Sequence, residues 1–193
     1  MKKIYIYSGL GLLFAACSTD AIMNEPIETN KIEQTRHSDI LVDLITTIEK
    51  SCLQASYKDE EELLRYVETI AFSQTAFASL LEDDFRASTV EELLYLASTD
   101  VEELLKEMNY SDKAKDYLYK WFVNQEVWDT NPSIDFDLSV EERRLLSTLE
   151  DVYSDDEWNI SKTLSFAYGY QTSKANAVIL AVAVGQLNKI EKR

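Results

Sequence analysis

The chain is poor in the residues that bend a backbone or carry redox and acid–base chemistry. Across 193 residues it holds four glycines, two prolines, two cysteines and one histidine. No Asn-Gly or Asp-Gly pair occurs, so tight β-hairpin turns have no local signal. The single histidine, His37, gives no basis for a histidine-dependent triad or a histidine-rich zinc site. Ser-x-x-Lys, Gly-x-Ser-x-Gly and P-loop strings are missing as well. Two apolar runs stand out, at 4–16 and 176–184, and both fall short of the roughly 20 residues that a membrane-spanning helix needs. Positive charge is scarce too: 19 Lys and Arg face 35 Asp and Glu, a formal net charge of −16. Such a surface repels nucleic acid and anionic lipid head groups, so neither is an expected partner. No cofactor signature is present.

What the chain does have begins at its first residues. Lys2 and Lys3 precede the uncharged run 4–16, and the small residues Ala15 and Ala16 come directly before Cys17. A positive start, an apolar run of about a dozen residues and small residues at a cut describe a secretory signal peptide. The string "LFAAC" at 13–17 resembles the lipobox of bacterial lipoproteins, with Phe14 where that family more often has Leu or Val. The resemblance is confined to residues 1–17. It implies cleavage after Ala16, acylation of the Cys17 sulfur and of its new amino group, and an anchor of several acyl chains. Lys2 and Lys3 would leave with the signal peptide, taking the formal charge from −16 to −18. The expected address is the cell envelope, most simply the outer membrane, and the expected membrane contact is the lipid anchor itself.

Residues 17–37 follow as a lipidated tether. They show weak periodicity, hold Pro26 and begin with the acids Asp20 and Glu25. As a flexible coil, about twenty residues give a root-mean-square reach of roughly 25 Å.

From 38 to 193 the pattern is helical, and the expected fold is all-α: a compact bundle of about six or seven helices forming one domain around a hydrophobic C-terminal helix. Leu41, Leu44, Ile45, Ile48, Cys52 and Ala55 recur at three- and four-residue spacing, one face of an amphipathic helix. With Cys17 acylated, Cys52 has no partner in the chain and reads as a small core hydrophobe. Capping boxes, a Ser or Thr followed three residues later by Glu, are expected at Ser88–Glu91, Thr99–Glu102 and Ser139–Glu142. Helices are expected near 38–55, 58–82, 89–97, 99–109, 111–126, 139–153 and 160–190. The echo of "ASTVEELLYL" at 87–96 in "ASTDVEELLKEM" at 97–108 reads as shared helix grammar, because a ten-residue spacing is far below that of helical-repeat proteins. Residues 176–184, apolar on nearly every side, mark the central helix, and Lys189, Lys192 and Arg193 are expected to complement its negative end.

Two stretches raise questions of binding. In "DTNPSIDFD" at 129–137, Asp129, Asn131, Ser133 and Asp135 fall at positions 1, 3, 5 and 7 of a calcium loop. Ile134 occupies the position that needs Gly, and Val140 replaces the bidentate acid, so the expectation is a turn and no metal site. The late aromatics include Trp121, Trp128 and Trp158, with Tyr117, Tyr119, Phe122, Tyr153, Phe166, Tyr168 and Tyr170 nearby in sequence. They serve either as a stacking platform for a sugar or as core anchors with polar tips, and the helical spacing of Leu118, Trp121 and Phe122 favours the core. Adjacent acids such as Glu91 and Glu92 would suit glycoside hydrolysis, but with 35 acids in the chain adjacency says little.

The expected function is therefore a lipid-anchored, non-catalytic binding or interaction module of the bacterial cell envelope, acting on an envelope protein or ligand. The alternatives are a sugar- or small-ligand-binding lipoprotein that uses the late aromatics, and a carboxylate-dependent envelope hydrolase.

Overall fold

A computed structural model describes residues 40–83, 85–126, 128–152 and 158–190. The signal peptide, Cys17, the tether and His37 lie outside the described residues. Among the described residues there are nine α-helices and no β-strand, so the all-α fold is observed. None of these helices is long and apolar enough to cross a membrane.

Helix α1 covers 40–52 and buries Leu41, Leu44, Ile45, Ile48 and Cys52, the stripe read from the sequence. Helix α2 (Glu60–Phe72) starts where the Asp59 carboxylate accepts from the Glu62 N–H, and it buries Leu63, Leu64, Val67 and Ala71. The single helix expected over 58–82 is broken. Ser73 and Gln74 end α2, and a short α3 (Thr75–Ala78) turns Phe77 into the core.

At two of the three expected capping boxes the cap moves by one residue, and each shift has a cause. Helix α4 (Val90–Ser98) is capped by Thr89 with Glu92, because the Ser88 hydroxyl is buried and donates to the Asn176 side chain 3.1 Å away. Helix α5 (Val101–Glu107) is capped by Asp100, whose carboxylate accepts from the Glu102 N–H at 2.9 Å. Thr99 instead closes α4 through its own N–H. Helix α6 (Asp112–Tyr119) begins at Ser111 and runs into a π-helical turn, Lys120–Asn124. That turn ends at Gln125, held at φ 56° in the left-handed region without being glycine. A 3₁₀ turn, Pro132–Ile134, precedes α7 (Val140–Val152), where the Ser139–Glu142 box forms as expected.

The long helix expected over 160–190 is a hairpin. Helix α8 (Ile160–Tyr170) stops at Gln171, and the N–H groups of Thr172 and Ser173 both return to the Gly169 carbonyl. Ser173 then caps α9 (Lys174–Gln186). Gly169 is what lets the two arms touch: a Cβ there would lie 2.7 Å from the Ala177 Cα and N. Every α9 residue from Ala175 to Val184 is buried, which makes it the axis of the fold, as its composition implied. A last 3₁₀ turn, Leu187–Lys189, lies beside the end of α1. The Lys189 ammonium donates to the Cys52 carbonyl at 2.8 Å, so it serves the negative end of α1 and not that of α9. Lys192 and Arg193 lie outside the described residues.

One ion pair is buried in this frame. Lys162 on α8 reaches Glu49 on α1 at 2.8 Å, with its ammonium 4.5 Å above the Trp158 ring. Removing one member of such a pair leaves an uncompensated charge and typically destabilises by about 3–5 kcal/mol.

Candidate functional site

The three tryptophans singled out in the sequence converge in space. Trp121, in the π-helical turn, lies 4.5 Å from Trp128 between ring centres, at 67°. Trp128 meets Tyr117 edge-on at 5.4 Å and donates its indole N–H to the Tyr117 carbonyl at 2.8 Å. Its polar tip is thereby satisfied on the backbone, as expected of a core anchor at the rim. Trp158 is 8% exposed, packs edge-on against Phe166 at 5.6 Å and leaves its buried indole N–H without a hydrogen-bond partner. Trp121 and Trp158 together line a cavity of about 270 Å³, with Gln125, Val152, Ile160 and Thr163 completing its wall. Tyr153 lies outside the described residues.

The loop tested for calcium is engaged in its own hydrogen bonds. Asn131 accepts from the Ser133 N–H at 2.8 Å, closing the turn that Pro132 starts. The two Asp135 oxygens accept from the Asp137 N–H at 3.1 Å and the Tyr117 hydroxyl at 2.8 Å, and Lys113 lies 3.4 Å from the second of them. These donors, Tyr117 foremost and then the Asp137 N–H and Lys113, outweigh burial and hold the Asp135 carboxyl below its ordinary value. Asp129 is exposed at the start of the loop. Among the described residues no group of three or more His, Cys, Asp or Glu side chains is placed to hold a metal ion. Cys52 is buried and unpaired, and burial pushes its thiol up.

A third place was not legible in the sequence. A polar cleft of about 440 Å³ opens where the start of α7, the end of α8 and the start of α9 meet the loop before α6. Glu142 is its most withdrawn acid at 8% exposure, and its two oxygens accept from the N–H groups of Ser111 at 2.7 Å and Ser139 at 2.8 Å. Burial works to raise this carboxyl, but the two N–H groups win and hold it below its ordinary value. Glu141 accepts from the Tyr170 hydroxyl at 3.2 Å, lies 3.3 Å from Lys174, and pairs with Arg144. Its carboxyl is also lowered: burial opposes this, and Lys174 and Arg144 outweigh it. The tyrosines go the other way. Burial pushes the Tyr110 and Tyr170 phenols well up, and Tyr110 donates to the Ala167 carbonyl at 2.6 Å.

Glu141 and Glu142 are therefore held ionised, and the Tyr110 and Tyr170 phenols are held protonated. None of these shifts moves a group toward neutral pH, where a general acid or base works best. The cleft is a mixed-charge, hydrogen-bonding surface with an aromatic edge. The cleft draws on residues from Glu82 to Lys174 that no local spacing joins. The only sequence signal was the Ser139–Glu142 box, whose acid does double duty by reaching Ser111.

The chain matches no family model, no curated protein and no solved structure.

Proposed function

We propose that this protein is a lipid-anchored, non-catalytic binding module of the bacterial cell envelope, most simply of the outer membrane. The observation that carries the reading is the string "LFAAC" after a positive start and an apolar run, with Cys17 as the acylated residue. The helical body supports it in a second way. Its polar cleft presents Glu141, Lys174 and Tyr170 already paired, with their charges set for recognition and not for proton transfer. The partner is an envelope protein or ligand held within the tether's reach, and nucleic acid is disfavoured by a net charge of −16. The test is fractionation of cells producing the native chain beside the Cys17→Ala variant. The native chain is expected in the membrane pellet and the variant in the soluble envelope fraction; a variant that pellets as the native chain does contradicts the reading.

A second reading rests on one observation, the meeting of Trp121 and Trp158 at a single cavity beside the strained Gln125. Non-glycine residues in the left-handed region and π-helical turns both concentrate at functional sites. In this reading the two rings receive a small apolar-faced ligand such as a sugar. Titration of the soluble domain with a panel of glycans should then shift its tryptophan fluorescence, and a Trp121→Ala variant should lose that response. The carboxylate-hydrolase alternative gains nothing from Glu141 and Glu142, which are both held ionised, while retaining and inverting mechanisms need one carboxyl kept protonated.

A further inference from the structure

The α8–α9 hairpin has two ends. The polar cleft lies at its turn. At its open end, the start of α8 and the end of α9 border a cavity of about 670 Å³, within the size range of small-molecule sites. Trp158, Ile160, Val184 and Leu187 supply apolar walls. Among the described residues no charged side chain lines it, although 28% of the chain is charged. A cation entering here would find no acid to pair with, and a sugar's hydroxyls would find no carboxylate to accept from them.

The wall does hold hydrogen-bond donors. A helix start leaves its first N–H groups, here those of Ile160 and Ser161, without an intrahelical partner. The Asn159 side chain caps only the Lys162 N–H, at 2.9 Å. Those two backbone donors alone would be served by water. Trp158 is different, because its indole N–H is withdrawn from water and has no hydrogen-bond partner at all. An unmade hydrogen bond of this kind is a standing cost, which an acceptor seated in the cavity would remove. The charges around the cavity do not oppose a negative head group. Glu49, which approaches the Gly185 wall, is answered by the Lys162 ammonium, itself 4.5 Å above the Trp158 ring. The carbonyl end of α9 is answered by the 3₁₀ turn, whose Leu187 N–H donates to the Val184 carbonyl. More distant acids are screened beyond about 10 Å in about 0.1 M salt.

We propose that this cavity binds a small amphipathic carboxylate. Its head group accepts from the Trp158 indole and the first N–H groups of α8, where the helix dipole also favours negative charge. Its hydrocarbon body lies against Ile160, Val184 and Leu187. The inference goes beyond the anchor and partner readings, and it concerns a different cavity from the one that Trp121 lines.

The test follows the tryptophan indole N–H resonances of the full-length Cys17→Ala chain by heteronuclear NMR as octanoate is added. That substitution keeps any acyl chain of the protein's own out of the cavity, and Trp158→Phe assigns the Trp158 signal by its loss. Octanoate is expected to move the Trp158 resonance downfield and saturably while leaving that of Trp128 in place. 1-Octanol, the same body without the charge, should bind at least about ten-fold more weakly, and acetate, the head alone, should not saturate. Ile160→Glu sets a competing carboxylate at the helix start, where it also suits the dipole. It should keep the native melting temperature and weaken octanoate by about ten-fold or more, whereas Ile160→Gln should lose much less. No saturable shift at Trp158 overturns the site, as does equal affinity for octanoate and 1-octanol. So does an Ile160→Glu chain that binds octanoate as the native chain does. A shift confined to Trp121 places the ligand in the other cavity and overturns this site too, leaving the anchor reading untouched.

Discussion

Glu142 and Glu68 are both partly withdrawn from water, yet their surroundings give them opposite effects on stability. Burial tends to raise the Glu142 carboxyl, but two backbone N–H groups overcome it and hold the value down. A depressed folded value contributes stability above the ordinary carboxylate range, and that contribution is lost as pH falls through the folded value. Glu142→Gln should therefore lower the melting temperature at pH 7, with the gap to the native chain narrowing in acid. Glu68 has one buried oxygen with no hydrogen-bond partner, and burial pushes its carboxyl up. Its ionised form is a burden at neutral pH that vanishes as pH drops below the ordinary carboxylate range. Glu68→Gln should raise the melting temperature at pH 7 and lose that advantage in acid. Thermal melts of both variants across pH 3–7 check the two signs, and parallel curves in place of converging ones would refute the assignment.

At the scale of elements, the α8–α9 hairpin depends on one missing methyl group. Gly169 faces Ala177 and Asn176 backbone that cannot retreat, so Gly169→Ala should destabilise by about 1–3 kcal/mol or more. Gly185 offers the contrast. A Cβ there meets the Glu49 carboxylate at 3.2 Å, a side-chain oxygen that, although paired with Lys162, needs to shift by only a few tenths of an ångström. Alanine also gains about 1 kcal/mol of helix propensity over glycine, so Gly185→Ala should change stability by less than about 1 kcal/mol. Urea titration of both variants measures the difference. The same hairpin shows what a linear reading could and could not find. The leucine and isoleucine stripe marked α1 because it buries one face at helical spacing. The break after Tyr170 was hidden, since Gln171, Thr172 and Ser173 are all tolerated within helices and the signal lies in Gly169 meeting a helix arm seven residues onward. Ser88 and Thr99 were misread as caps for a related reason. Each stands beside a residue, Thr89 or Asp100, that caps equally well; a tertiary contact with Asn176 takes Ser88 away, and closing α4 takes Thr99.

Across the whole molecule, charge and address dominate. Acids outnumber bases by 35 to 19, so folding brings like charges together, and screening should relieve this. The soluble domain should melt at a higher temperature in 0.3 M sodium chloride than in 0.02 M; a fall would mean that attractive pairs outweigh the repulsion. Function was the least legible level. The tryptophans were visible as letters, and the meeting of Trp121 and Trp158 at one cavity required the fold. The polar cleft left no mark beyond the Ser139–Glu142 box, because Asn109, Glu142 and Lys174 come from three separate elements. The proposed anchor, by contrast, rests on the consecutive residues 1–17, which is why sequence alone can propose it. Intact-mass spectrometry of the protein extracted from membranes tests that claim most directly. The account predicts a chain that starts at Cys17 and carries the mass of several acyl chains; a chain that starts elsewhere, or starts there with a bare thiol, contradicts it.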